Sequence, residues 1–352
     1  MYQTIITDRE TGQRLDKYLH RILPNAGSGF LYKMLRKKNI TLNDKKANGS
    51  EKIVVGDCVK IFFAQETLDK FMDGTIQNGG DLLKDGVMTA GNEAAAYRAA
   101  YEKLSGISVL YENDHILIAD KPAGILSQKA EKSDLSLNEW LIGYLLQSGF
   151  VTADDLRLFR PSVCNRLDRN TSGIVLCAKS LQGAQLLGEL LKKRTLHKYY
   201  LTYVKGQITQ AQSIEGILQK DGRTNRVTVR SLVETQKESV KEPTSHAQGS
   251  YIKTAYIPLR CEQDKTLLEV ELFTGKPHQI RAHLASIGHP LLGDYKYGDK
   301  AWNEKYRQTY GVQSQLLHAY KVIFPQLALP FADLSERSFV CVLPEIFEIV
   351  KE

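Results

Sequence analysis

The densest polar string in the chain is Asn165-Arg166-Leu167-Asp168-Arg169-Asn170-Thr171-Ser172-Gly173, followed at once by the apolar run Ile174-Val175-Leu176. A loop that opens a buried strand holds its side chains firmly, which suits a general base or a nucleophile. Arg166 and Arg169 flank Asp168, and cations so placed favour the charged carboxylate. Taken alone, the pattern also fits a structural ion pair or a turn aspartate. A second string runs Thr274-Gly275-Lys276-Pro277-His278-Gln279-Ile280-Arg281-Ala282-His283-Leu284 and closes at Ile287-Gly288. Pro277 suits a first helical turn and Gly288 a C-terminal stop. Ile280, Leu284 and Ile287 then share one face. Arg281 leaves that face near the helix start, where it can reach an acid outside the helix. The two histidines lack the spacing of a zinc-binding HExxH, so His278 and His283 are assigned to capping and packing. A third string, His197-Lys198-Tyr199-Tyr200-Leu201-Thr202-Tyr203, alternates as a strand, with Tyr199, Leu201 and Tyr203 on one side and Tyr200 on the other. One side serves a core and leaves Tyr200 or its neighbours for a cleft. No acidic cluster suggests a metal site, which argues against a metal-dependent nuclease.

These strings need a scaffold. The chain has 352 residues, 42% hydrophobic and 25% charged, ordinary values for a globular protein of about two domains. No apolar run approaches the roughly 18 residues of a membrane-spanning helix. Residues 1–10 carry acids and no apolar h-region, so no signal peptide is expected. The five cysteines are odd in number, scattered and without a CxxC pair, which reads as reduced thiols of a cytoplasmic protein. The net charge of +7 is unevenly spread. Residues 1–66 hold twelve Lys/Arg against seven Asp/Glu, whereas residues 67–105 hold four against six. Basic density of the first kind is the electrostatic footprint of a polyanion binder, although a solubilising face looks the same.

The apolar spacing predicts a helix over 13–22 from Leu15, Leu19 and Ile22, and a second from Ser28 with Phe30, Leu31, Met34 and Leu35 inward. Lys33, Arg36 and Lys37 occupy its other face. Strands are expected at 40–42, 52–55 and 58–63, with turns at Asn43-Asp44 and Gly56-Asp57. The glycine-bearing stretch 67–105 reads as a linker with one helix from Asn92 to Lys103. Further strands are expected at 109–111, 115–119, 173–178 and 199–204, with helices at 136–147 and 180–194 and a long polar loop at 234–250. Strands and helices mix without a βαβ rhythm, so the fold class is α+β, with a small N-terminal module.

Together the strings resemble a known family. Residues 108–325 resemble the catalytic domain of the RluA-type RNA pseudouridine synthases, through Lys121-Pro122-Ala123-Gly124, Arg166-Leu167-Asp168 with Thr171-Ser172-Gly173, Lys198-Tyr199-Tyr200, Gly275 with His278-Gln279-Ile280-Arg281-Ala282-His283, Gly288-His289-Pro290 with Gly293-Asp294, and Leu317-His318-Ala319. Arg14-Leu15-Asp16-Lys17-Tyr18-Leu19 is similar to the alpha-L RNA-binding fold of a small-subunit ribosomal protein. The resemblance implies an alpha-L module at 1–66, a linker or insertion at 67–105 and a catalytic domain at 106–352 built on a mixed, largely antiparallel sheet flanked by helices. Three positions depart from the family pattern: Asn165 stands where His is usual, Lys276 where Arg is usual, and Gln128 where His is frequent.

The implied reaction breaks the N1–C1′ bond of a uridine and joins C1′ to C5 of the same base, with no cofactor and no metal. Glycosidases use two carboxylates; here one stands out. The resemblance assigns Asp168 as the essential carboxylate, either attacking C1′ or removing the 2′ proton. Arg281 pairs with it, and Tyr200 stacks on the flipped base and assists deprotonation at C5. Arg166 and Arg169 are expected at the RNA, either filling the gap in the helix or holding phosphates. Arg14, Lys17, Lys33, Arg36, Lys37 and Lys38 are the RNA-binding candidates of the module. The expected partner is large-subunit ribosomal RNA, met by a monomer. Transfer RNA is the rival substrate, and a catalytically silent ribosome-assembly protein the rival of another class.

Overall fold

The computed structural model describes residues 1–7, 10–72, 90–220, 226–231 and 249–351. The polar loop read at 234–250 falls almost wholly outside the described residues, as do residues 73–89 of the expected linker. The N-terminal strands β1 (Tyr2–Ile5), β2 (Ile40–Leu42), β3 (Lys45–Lys46) and β4 (Cys58–Ile61) form an antiparallel sheet in the order β1-β4-β2-β3. Asn43 and Asp44 both take positive φ, 52° and 61°, as a two-residue hairpin turn between β2 and β3 requires. The helices Leu15–Ile22 and Ser28–Arg36 lay Leu15, Leu19, Leu31 and Leu35 against Ile40, Val59 and Ile61 of that sheet. Their apolar residues recur every three to four positions, and the core is built from that stripe.

The expected strand at 52–55 is not one. Lys52 makes a single bridge to Arg14, Ile53 enters the core, and Val54 and Val55 are exposed. Its β-branched residues suit a strand, but its backbone bonds go to the loop before the first helix, with the Ile53 amide donating to the Gln13 carbonyl and the Gly12 amide to the Ile53 carbonyl, and tertiary context decides. The linker reading changes at its start, while its expected helix is found. Gln65–Met72 is a helix whose Leu68 is buried in the N-terminal core. Ala90–Lys103 is a helix that places Ala94, Tyr97 and Tyr101 on the core of the larger sheet. That helix crosses Leu137–Gln147 so closely that a Cβ on Gly143 would lie 2.1 Å from the Tyr97 carbonyl oxygen.

The larger sheet comprises β5 (Ser108–Glu112), β6 (Ile116–Lys121), β7 (Ser162–Val163), β8 (Ser172–Ala178), β9 (His197–Lys205), β10 (Gln212–Lys220), β11 (Val227–Ser231), β12 (Ser250–Cys261), β13 (Lys265–Leu272), β14 (Leu317–Ile323) and β15 (Ser338–Val340). Its order is β11-β10-β12-β13-β9-β14-β8-β6-β5, with β7 on β8 and β15 on β14. Every pairing is antiparallel except β14 with β8. The class is therefore α+β, as expected. Both faces of the middle of the sheet are covered. Leu117, Ala119, Val175 and Cys177 face the helix Leu137–Gln147, while Ile116, Ile118, Ile174 and Leu176 face Leu187 and Leu190 of the helix Leu181–Lys193. Burial on both faces explains why the run before Ala178 is continuously apolar instead of alternating. Gly173, at φ 109°, is where β8 meets β14: a Cβ there would sit 2.3 Å from the Ala319 carbonyl oxygen. Ser136 and Ser180 cap the two flanking helices through their side chains.

Candidate active site

A cavity of about 710 Å³ opens where the loop at 165–171 meets the first half of β9 and the start of the helix Gln279–Ser286. Asp168, Tyr200 and Arg281 all line it, although the first lies 113 residues from the last.

The loop that carries Asp168 is fastened from beneath by a residue that sequence reading left without a role. Lys121 ends β6, is fully buried, and donates from its Nζ to three carbonyls: Pro122 at 2.9 Å, Ile125 at 2.8 Å and Arg169 at 3.1 Å. Three acceptors match the three protons of an ammonium. Burial pushes Lys121 down to about 7, against the pull of Asp168 and Asp120. The Gly124 amide also donates to the Arg169 carbonyl, at 2.9 Å. The Ser127 hydroxyl both receives from the Leu167 amide and donates to the Leu167 carbonyl, each at 3.0 Å. The turn beginning Lys121-Pro122-Ala123-Gly124 is thus the clamp on the Asp168 loop. Asn165 ties the other side to β8, accepting from the Leu176 amide at 2.6 Å.

Arg281 is held by two carboxylates. Its Nη1 donates to Asp168 Oδ2 at 2.7 Å, while Nε and Nη2 donate to the two oxygens of Asp294 at 2.7 and 2.9 Å. Asp294 is fully buried and also receives the amides of Lys296 and Tyr297. Burial raises the Asp294 carboxyl, yet Arg281 and those amides bring it below the ordinary carboxylate range. Burial likewise opposes the charge of Arg281, and the two aspartates outweigh it. The fork therefore has one buried anchor and one working partner. The Asp168 side chain keeps 25% of its exposure, against none for Asp294. Asp168 Oδ1 has no hydrogen bond among the described residues, so it is the oxygen left to meet a ligand.

Tyr200 is packed more deeply than a residue free in a cleft. It does line the cavity, but it is only 6% exposed and belongs equally to the apolar core with Val270 and Leu317. Burial, and then the charge of Asp168, push its hydroxyl well above the usual range. It therefore presents a neutral phenol in a cavity wall.

His278 departs further. It stands at the N-cap position of its helix with no capping bond from its side chain, and Pro277 precedes the helix instead of starting it. Its ring lines the cavity, with Nδ1 2.8 Å from the Tyr297 hydroxyl and Nε2 3.9 Å from Asp168 Oδ2. His283 does pack, buried against the Thr254 hydroxyl at 3.0 Å. Asp294, Lys121 and His278 each stood inside a quoted string, but one partner of each lies outside its own string, Arg281, Arg169 and Tyr297 respectively.

The cavity rim is basic. Arg166, Arg169, Arg194 and Lys276 line it and are exposed, and Lys198 lies half-buried among them. Gln128 lines it too. The N-terminal candidates form a separate surface. Lys17, Lys33, Arg36, Lys37 and Lys38 are exposed and make no ion pair among the described residues, whereas Arg14 is bound to Asp16 at 2.7 Å. Asp16 also accepts from the Tyr32 hydroxyl. Among the described residues no group of His, Cys, Asp and Glu could hold a metal ion, and no helix is long and apolar enough to cross a membrane.

Comparison with known proteins now bears on this geometry. Residues 115–286, which span the clamp, Asp168, Tyr200 and Arg281, match the family model of RNA pseudouridylate synthase. That match spans 172 of the chain's 352 residues. Ribosomal large subunit pseudouridine synthase C of Escherichia coli K12 is 28% identical over 333 residues, covering 91% of this chain and 87% of the relative. An RNA pseudouridine synthase of Mycoplasma genitalium is 28% identical over 328 residues, covering 92% and 89%. The solved human RNA pseudouridylate synthase domain containing 4 shares the fold, at 20% identity and a TM-score of 0.53, over 74% of this chain and 96% of that one. Pseudouridine synthases are isomerases, and the chain is an enzyme of that kind.

Proposed function

We propose that the protein converts uridine to pseudouridine in large-subunit ribosomal RNA, with Asp168 as the reacting carboxylate. The observation that carries the reading is the Arg281 fork, which fixes one oxygen of Asp168 at 2.7 Å and leaves the other to the cavity. A duplex base cannot enter such a cavity, so the uridine swings out of its stack, and the basic rim with Arg166 and Arg169 receives the phosphates on either side. Asp168 either attacks C1′ or removes the 2′ proton. In both routes the N1–C1′ bond breaks, the base turns, C1′–C5 forms and the C5 proton is lost as N1 gains one, so atoms balance without a cofactor. Tyr200, neutral in the wall, stacks on the base while it turns, and its phenol assists loss of the C5 proton.

Residues 1–66 serve as the RNA anchor, with Lys33, Arg36, Lys37 and Lys38 at phosphates. The ribosomal substrate is supported by this basic module and by the names of the two bacterial relatives' class, one of which acts on the large subunit. It would place the protein with the assembling subunit in the cytoplasm. The test is to incubate the protein with large-subunit ribosomal RNA transcript and with bulk unmodified transfer RNA, and to map pseudouridine at nucleotide resolution. Modification of discrete uridines in the ribosomal transcript is expected. Modification confined to transfer RNA would move the substrate, and none in either RNA would leave the silent assembly role.

A further inference from the structure

His278 sits in a conformation that calls for a reason. Its φ of 53° is left-handed, an uncommon backbone for a residue with a branched ring, and such positions gather at functional sites. The ring that this backbone aims into the cavity is then held by a chain of donors. The Val227 amide donates to the Tyr297 hydroxyl oxygen at 3.1 Å. Burial keeps that phenol protonated, so its own proton remains to be placed. The one acceptor in reach among the described residues is His278 Nδ1, at 2.8 Å. Tyr297 therefore donates, Nδ1 accepts, and the ring proton must be on Nε2. Nε2 faces Asp168 Oδ2 at 3.9 Å, beyond a direct hydrogen bond and within reach of a small turn of either side chain. The groups around the ring are Asp168 on its loop, Arg281 on the helix, and Asp294, Lys296 and Tyr297 on the segment after it. Burial first, and Arg281 and Lys296 after it, outweigh the pull of the two aspartates, and the imidazole is pushed below its ordinary value.

We propose that His278 is a positioning residue for Asp168: a neutral imidazole, locked by Tyr297 in the Nε2–H tautomer, that gives Oδ2 its second donor and so keeps Oδ1 turned to the nucleoside. This rests on Asp168 being the reacting carboxylate. A neutral donor orients the carboxylate without adding a second full positive charge beside Arg281, which would lower its reactivity.

The tautomer is read without activity, by nitrogen-15 spectra of the histidine rings, with His278→Asn assigning the signal. The wild type is expected to show the Nε2–H form at neutral pH, and Tyr297→Phe a mixture. Activity is measured on RNA transcript. His278→Asn suits the left-handed backbone and keeps a partner for Tyr297, but has nothing to offer Asp168. A fall in kcat of roughly 10- to 100-fold is expected, with KM and melting temperature unchanged. His278→Gln, whose amide N–H reaches about as far as Nε2, should recover part of that loss. An Nδ1–H ring would overturn the proposal. So would full activity in His278→Asn, or KM and melting temperature falling away together in both variants, which would mean plain packing. Loss of the Asp168 reading itself would show separately, as turnover by Asp168→Asn, with the ring spectrum unaffected.

Discussion

The molecule handles positive charge in two opposite ways. On the N-terminal surface Lys33, Arg36, Lys37 and Lys38 are exposed and form no ion pair among the described residues. In the cavity Arg281 is 8% exposed and Lys121 fully buried, and each has its donors committed: Arg281 to two carboxylates, Lys121 to three carbonyls. Exposed cations attract a polyanion from a distance, act nearly additively and are screened by salt. Buried, fully bonded cations attract little and fix geometry, and removing one strands its partners. Affinity and chemistry should therefore be separable by mutation.

The strongest attempt to break that separation is Asp168→Asn. It keeps the volume of the side chain and a hydrogen-bonding oxygen for Arg281 while removing the charge. Turnover of RNA transcript should fall by at least about 10³-fold, with the RNA dissociation constant within a factor of two or three. An equal loss of binding would mean that the cavity, not the N-terminal surface, dominates affinity. Next comes Arg281→Met, which leaves the carboxylate of Asp294 buried without its cation. Breaking such a pair costs about 3–5 kcal/mol of stability, measured by urea unfolding. Asp294→Asn together with Arg281→Met should recover much of it, because the stranded charge is then gone.

How much of this was legible follows the range of the interactions. The helices Leu15–Ile22, Leu137–Gln147 and Leu181–Lys193 were readable because their apolar stripes are local, and the latter two are capped by the serines that precede them. Asp168 and Arg281 were readable through their strings, and the ion pair between them stands at 2.7 Å. Lys121 was not, since a lysine ending a strand usually reaches water, and only the closure of residues 122–125 and 169 around it supplies the carbonyls. His278 was misassigned because Pro277 before it imitates a helix start, while the partner that fixes its ring, Tyr297, is 19 residues away. Within 67–105 the helix expected from Asn92 stands as Ala90–Lys103, whereas its packing on Gly143 of the helix Leu137–Gln147 has no local signal.

A third prediction uses acid to sharpen the contrast. Burial pushes His283 and His318 each down to about 4, so in the folded protein both stay neutral where an unfolded chain, near 6.5, takes up protons. Between those limits the unfolded state binds more protons, so stability falls as pH drops from about 6.5 to 4 and changes no further on their account below that. Each histidine contributes roughly 3 kcal/mol to that slope. The lysines and arginines of the N-terminal surface do not titrate in this window. His283→Gln should flatten the pH dependence of the urea midpoint, and an unchanged slope would remove His283 as a source.

The smallest effect is expected from the exposed cations, and it is the one that tests whether they bind RNA at all. Replacing Lys33, Arg36, Lys37 and Lys38 together by Gln leaves both hydrophobic cores untouched, since all four side chains are exposed. If each neutralises one phosphate, their loss should make the slope of log affinity against log salt shallower by up to about 3. Near physiological salt the dissociation constant should rise roughly 10- to 100-fold, while turnover at saturating RNA stays at the wild-type value, because no committed donor in the cavity has moved. The salt titration separates the two roles more sharply than affinity at one salt concentration does. A variant that binds more weakly with the same slope has lost something other than phosphate contacts, and a variant with unchanged affinity and slope would leave the basic face of Ser28–Arg36 as a solvated surface and return the anchoring of RNA to the cavity rim.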